Sequence, residues 1–327
     1  MERLAENLIS GGRLGRGDDL GILLEMDLAA LCRAADQVRR ALCGDRAELC
    51  TIVNGRSGRC GEDCKFCAQS CHYHTGAEEY PFLPVREIVE EGRRNEAAGV
   101  RRYSIVTAGR GVHGAELDHA LEAYRRLMAE TGLALCASHG LQTEEEFRRL
   151  KEAGVTRYHA NLETSRRNFP NICTTHTYED KVENIRRAQA AGLEVCSGGI
   201  LGMGETWEDR IDMALDLAEL GVVSIPLNLL TPIPGTPMER LPPLTEEEVL
   251  RAVAVFRLLN PTAWIRMAAG RGRFAGGGRA LFQAGANAAI TGDMLTTTGT
   301  GIAGDRAMLT ELGFVLETTS ITARRQL

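Results

Sequence analysis

Cys60, Cys64 and Cys67 follow one another in the pattern Cys-x3-Cys-x2-Cys, a spacing that brings three thiols to one point of a loop. Structural zinc closes with four ligands, whereas three thiolates on a four-iron cluster leave one iron open to bind a substrate. Cys71, His72 and His74 follow closely, so a closed centre with Cys71 as fourth ligand, zinc or ferredoxin-like, is the competing reading of the same run.

A second set of chemically capable residues is spread over short β-rich runs: Cys50, Ser104, Cys136 and Ser138, then His159, Asn161 and Glu163, then Cys196, Asn228 and Arg266. A lone strand cysteine is ordinarily a small core residue. Barrel interiors are ordinarily filled by branched apolar side chains, so thiols, amides and an arginine recurring at one strand parity point to a polar cavity.

The elements that must position these residues alternate regularly. LCTIV, RYSIV, LALCAS, TRYHANL, LEVCSGG, VSIPLNLL, AWIRMAA and NAAITG read as eight strands separated by helical or loop segments. Eight such units predict an α/β fold of the (β/α)8, TIM-type barrel class rather than an open doubly wound sheet. Gly99, Gly132, Gly154, Gly192 and Gly221 are placed to stop helices, and Thr245 with Glu248 to open one through a capping box. Residues 1–45 read as an N-terminal helical extension, 46–290 as the barrel, and 291–327 as a C-terminal segment closing one end. The triad then falls just after the first strand, at the strand end where barrel active sites are built.

At 327 residues, 44% apolar and 25% charged, with a mean hydropathy of -0.16, the chain has globular proportions and no run long enough to span a membrane. A net charge of -6 argues against a nucleic-acid or anionic-membrane partner. Ten cysteines in such a length are no disulfide scaffold, and the N-terminus lacks a secretory core, so the expected compartment is the reducing cytoplasm. The arginine-rich stretches at 93–102 and 146–151 carry acidic neighbours and are expected to be solvated faces. Gly202 and Gly204 lack dinucleotide-site spacing, and a tight turn explains them equally well.

The triad with Phe66 resembles the radical S-adenosylmethionine superfamily. That resemblance implies a [4Fe-4S] cluster on Cys60, Cys64 and Cys67, S-adenosylmethionine on its open iron, and Phe66 near the adenine. YHANLETS, CSGGILGMGET, SIPLNLLTPIPGTP, IRMAAGR and AGANAAITGDMLTTTG extend the resemblance to the biotin synthase family over nearly the whole chain. It implies conversion of dethiobiotin to biotin, with sulfur drawn from an auxiliary iron-sulfur cluster. Cys136, Cys196 and Arg266 match three of the family's four auxiliary ligands, while Ser104 stands where the family has cysteine. Cys50, one strand over, is the expected replacement, with Cys71 and Cys173 in reserve. The resemblance implies a [2Fe-2S] auxiliary cluster, and the relocated thiol leaves a four-iron cluster with an extra sulfide open. It further implies Asn161 between ribose and ureido ring, Glu163 on the ribose hydroxyls, His159 and Asn228 on the substrate, and Gly202 and Gly204 in the adenine-contacting segment. Glu163 replaces the family's usual Asp and His159 its usual Asn. Implied partners are a flavodoxin or ferredoxin electron donor, iron-sulfur assembly proteins and a second copy in a homodimer. Two other functions compete: a related radical maturase without sulfur insertion, and a non-catalytic zinc protein.

Overall fold

The strands alternate residues facing a central cavity with residues facing an outer layer of helices, the division that period-two side chains impose on any barrel. The computed structural model describes residues 2–295 and 299–317. Its strands are β1 (Arg46–Arg56), β2 (Arg102–Thr107), β3 (Ala134–Ser138), β4 (Val155–His159), β5 (Glu194–Cys196), β6 (Gly199–Leu201), β7 (Ser224–Leu229), β8 (Trp264–Met267), β9 (Ala288–Ile290) and β10 (Val315–Leu316). Neighbours pair in parallel from β1 round to β9, and β9 pairs back onto β1 through Glu48 opposite Ala288 and Cys50 opposite Ile290. β5 and β6 both pair with β7 and share one place in the ring, which therefore has eight positions. The fold is the expected (β/α)8 barrel.

The run expected as one strand over LEVCSGG is broken at Ser197–Gly198. A Cβ on Gly198 would lie 2.0 Å from the Pro226 carbonyl oxygen, so β7 presses against bare backbone there. β4 likewise ends at His159, but the chain beyond it stays extended along the same neighbours, with Ala160 N–H donating to Cys196 (3.0 Å) and Glu163 N–H to Gly198 (3.1 Å). Short β10, unanticipated in the sequence, pairs with the start of β1.

The helices are α1 (Glu2–Ile9), α2 (Ile22–Glu25), α3 (Leu28–Cys43), α4 (Val85–Ala97), α5 (Gly114–Glu130), α6 (Glu144–Glu152), α7 (Phe169–Ile172), α8 (Tyr178–Ala190), α9 (Trp207–Glu219), α10 (Glu246–Leu259), α11 (Ala275–Gln283) and α12 (Ile302–Glu311). Capping boxes open α6, α8, α9 and α10, the last through Thr245 and Glu248. Four of the expected glycine stops have positive φ. Gly132 does not, because α5 ends on Thr131, whose hydroxyl donates to Leu127 O at 2.7 Å. The core fills the shell between strands and helices, with Tyr103, Ile105, Leu135, Ile225 and Ile265 pointing outward into it. On the flank, α3 lies along α10 and buries Leu31, Ala35 and Val38. Of the expected closing segment, residues 296–298 and 318–327 lie outside the described residues.

Candidate active site

The barrel encloses a cavity of about 330 Å³ lined by Cys50, Ser104, Cys136, Ser138, His159, Asn161, Glu163, Cys196, Asn228 and Arg266, so the polar strand residues singled out from the sequence do face one space. Phe66 and Cys67 form part of its wall, as do Met294 and Leu295 from the segment after β9. Cys60, Cys64, Gly202 and Gly204 do not line it.

Three guanidiniums stand at the floor. Glu48, 2% exposed, accepts from Arg157 at 2.8 Å, from Arg102 at 3.2 Å and from Arg266. Its carboxyl is held well below the usual carboxylate range because these cations outweigh the cost of burial. Arg157 also pairs with Glu194 at 2.9 Å, and two carboxylates against three guanidiniums leave surplus positive charge beside the thiols. Arg266 also donates to Ala289 O at 3.0 Å besides pairing with Glu48. Sequence reading missed Glu48 and Arg157, and the expectation of a solvated face over 93–102 is wrong at Arg102, which turns inward on β2. The available signal was parity: Glu48 precedes Cys50, Arg102 precedes Ser104 and Arg157 precedes His159 by two residues each.

Burial pushes the Cys50 thiol up to about 12, and burial with the neighbouring Cys196 pushes Cys136 up to about 11. Burial acts the same way on Cys196, but a hydrogen bond to His159 and the charges of Arg266 and Arg157 hold it down to about 7. Cys136 is level with Ser104 and hydrogen-bonded to it, whereas Cys50 is level with Arg102, one inward-facing position lower than Ser104. Buried thiols beside surplus positive charge are the donor set that an anionic iron-sulfur cluster requires, and the cavity fits an auxiliary cluster on this observation.

Glu163 is one of two non-glycine residues with positive φ among those described, at 71°. Its N–H and C=O are fixed by Gly198 and Ile200, so the backbone enforces a left-handed conformation on a side chain that lines the cavity. Burial raises its carboxyl above the ordinary range. Asn161 accepts from Gly198 N–H at 3.0 Å and donates to Glu163 at 3.3 Å. The Asn228 amide bridges Gly199 O and Ala269 N–H, both at 3.3 Å. Gly202 and Gly204 serve a turn in which the Glu205 carboxylate accepts from the N–H groups of Gly202 (2.8 Å) and Met203 (2.7 Å).

The cysteine loop leaves the end of β1 and is closed at its base by a bridge between Ser57 and Tyr80. Cys60 N–H donates to Gln69 O at 3.0 Å and Cys71 N–H to Cys60 O at 2.8 Å, which folds the triad back on itself. Asp63 accepts from the N–H groups of Thr174 (2.8 Å) and Thr175 (3.2 Å), docking the loop onto the segment after α7. Cys64 shares a hydrogen bond with Cys173; that bond drives the Cys173 thiol down to about 4 and the Cys64 thiol far up. Cys71 is exposed, and the one metal-compatible grouping among the described residues, Cys64, Cys173 and His176, excludes it.

Residues 56–217 match the Radical SAM superfamily and residues 226–315 the Biotin and Thiamin Synthesis associated domain. The chain is 58% identical over 314 residues to the biotin synthase of Clostridium beijerinckii, covering 96% of this chain and 99% of that protein. It is 57% identical over 316 residues to the biotin synthase of Alkaliphilus metalliredigens, covering 97% and 99%. Among solved structures it resembles methylornithine synthase (TM-score 0.84, 21% identity, covering 97% and 98%). It also resembles the FeFe-hydrogenase maturase of Carboxydothermus hydrogenoformans (TM-score 0.79, 16%, covering 99% and 80%), a likeness of fold alone. The near-complete matches at high identity set aside both the maturase and the zinc-protein readings. The chain belongs to the biotin synthase family of radical S-adenosylmethionine enzymes.

Proposed function

We propose that this chain converts dethiobiotin to biotin, with the family's radical cluster on Cys60, Cys64 and Cys67 and the auxiliary cluster on Cys50, Cys136 and Cys196. The observation that carries the reading is the gathering of three buried thiols under Arg102, Arg157 and Arg266 in the cavity that Phe66 and Cys67 help to wall. When bound, the four-iron cluster with S-adenosylmethionine supplies a carbon-centred radical, and the auxiliary cluster supplies sulfur. The chain's own residues do the rest. Arg266, oriented by its pair with Glu48, holds negative charge at the floor by hydrogen bonding. Glu163 presents its carboxylate to the ribose hydroxyls from a backbone that cannot swing, Asn161 stands beside it, and Phe66 offers an apolar face to adenine. His159 and Asn228 contact the ureido end of dethiobiotin, Asn228 by exchanging a backbone partner for the substrate. Gly202 and Gly204 shape the turn bordering the adenine, the amides of Gly202 and Met203 already being taken by Glu205.

Residues 46–290 form the catalytic unit in this reading, flanked by the extension at 1–45 and the closing segment at 291–327. Its operation calls for a flavodoxin or ferredoxin as electron donor, iron-sulfur assembly proteins, a homodimer and a cytoplasmic setting, all in line with family membership.

The test is an anaerobic reaction of dethiobiotin, S-adenosylmethionine and reductant, with iron and sulfide counted per chain before and after. Biotin should form with loss of sulfide, and iron beyond the radical cluster's about four atoms distinguishes a two-iron from a four-iron auxiliary cluster. Cys50→Ala should lose that additional iron and keep S-adenosylmethionine cleavage. Full auxiliary iron in this variant would overturn the assignment of Cys50.

A further inference from the structure

Behind the cysteine loop, away from the cavity, two thiols and an imidazole converge. The ligating atoms of Cys64, Cys173 and His176 all lie within 4.8 Å of one another, with Cys173 Sγ 3.3 Å from His176 Nδ1. Cys173 is 3% exposed and His176 7%. The buried carboxylate of Glu62 is hydrogen-bonded to the same His176 nitrogen and accepts from the Thr175 hydroxyl at 2.7 Å. Asp63 fixes the segment from below by taking the N–H groups of Thr174 and Thr175, so the donors are held together by backbone contacts. In sequence they read Glu-x-Cys and Cys-x2-His, one pair on each side of the dock.

Two sulfurs and one nitrogen converge, with the Glu62 carboxylate one hydrogen bond beyond the nitrogen, and together these are donors of the borderline softness that a tetrahedral ion takes. Sulfurs on a zinc ion, each bonded at about 2.3 Å, stand roughly 3.8 Å apart, within the span seen here. We propose that the cluster-free chain binds a single divalent zinc or ferrous ion through Cys64, Cys173, His176 and Glu62, and that assembly of the radical cluster displaces the ion by claiming Cys64. Coordination releases to solvent the protons of the ligating thiols and any proton on the ligating His176 nitrogen, and involves no change of oxidation state. The displacement rests on Cys64 as a cluster ligand; binding of the ion does not. The site would keep one thiol of the triad occupied, and the loop docked, until a cluster arrives.

The test uses cobalt(II) as probe on the full chain stripped anaerobically of iron and sulfide. One cobalt per chain should bind with sulfur-to-metal charge transfer and the intense visible bands of a tetrahedral site, and zinc should displace it. Cys173→Ser and His176→Gln should each weaken binding about tenfold or more, whereas Cys71→Ser should leave it unchanged. Wild-type chain reconstituted with its radical cluster should take up no cobalt at this site. Binding undiminished in Cys173→Ser or His176→Gln, or an unchanged cobalt spectrum on cluster-loaded protein, overturns the proposal. Should either variant misfold by circular dichroism, X-ray absorption on wild-type cobalt protein decides: two sulfurs with nitrogen and oxygen support the site, and three sulfurs put the ion on one of the two cluster thiol sets and overturn the proposal. Cluster reconstitution is read separately by iron and sulfide content, so failure of the radical-cluster assignment is distinguishable from failure of this one.

Discussion

Arg102, Arg157 and Arg266 are all buried and all lean on the single carboxylate of Glu48. Replacing it by glutamine leaves buried Arg102 and Arg266 without a counter-ion and Arg157 with Glu194 alone, and breaking a buried pair of this kind costs about 3–5 kcal/mol. Glu48→Gln should therefore unfold at markedly lower urea than wild type, and the loss should shrink on acidification. The sign follows from the depressed carboxyl: its contribution is present above the ordinary carboxylate range and is lost as pH falls toward the folded value. At Glu163 the expected effects separate differently. Glu163→Gln keeps size and backbone while giving up the acceptor charge, so affinity for S-adenosylmethionine should fall about tenfold or more with little change in stability, as equilibrium dialysis and thermal unfolding would show. The thiols, Asn161, Asn228 and Arg266 were legible because neutral polar groups and one arginine at inward parity stand out among branched apolar neighbours. The Glu48 network was not, since charge on a strand reads as surface until the ring closes over it. Nothing in the residues flanking Glu163 announces its left-handed backbone; long-range bonds to Gly198 and Ile200 impose it.

His139 ties elements together at the end of β3. Its ring bonds the Thr107 hydroxyl on β2 at 3.0 Å and the Tyr124 hydroxyl on α5 at 2.9 Å, and the Tyr158 hydroxyl on β4 accepts from its backbone N–H at 3.1 Å. Burial holds its imidazole down to about 3, from an ordinary value of 6.5. Below that ordinary value the unfolded chain takes up a proton that the folded chain refuses, so stability falls with pH through this window. Between pH 7 and pH 5 the loss from this one group is about 2 kcal/mol. Urea midpoints at the two pH values should diverge in wild type and converge in His139→Gln. Eight strand positions and their order were readable because period-two runs alternate cleanly with helical ones. The break between β5 and β6 was not, because it arises from the approach of Pro226 to Gly198 across the ring, and β10 was too short to carry a pattern.

Across the whole molecule, the N-terminal helices are more than an appendage. Ala5, Leu8, Leu31, Ala35 and Val38 belong to the same buried cluster as Val249, Val253 and Phe256 of α10, and Arg251 donates to the carbonyls of Leu23 and Met26 at 3.1 and 2.9 Å. Deleting residues 1–45 should strip one flank of the barrel and lower the thermal midpoint by about 10 °C or more, read by differential scanning calorimetry. Amphipathic periodicity revealed these helices, but their partner could not be read from sequence, since α10 lies some two hundred residues away. The closure of β9 onto β1 has a further consequence for a chain made one residue at a time. β1, carrying Glu48 and Cys50, leaves the ribosome early, whereas Arg266 and the closing strand emerge near the end of synthesis. Until then the ring has a gap, the carboxylate lacks one of its guanidiniums, and Cys50, Cys136 and Cys196 stand open to the surrounding medium. The interval between the first strand and the last is thus a period of exposure for the nascent chain, ended by the seam that completes the barrel.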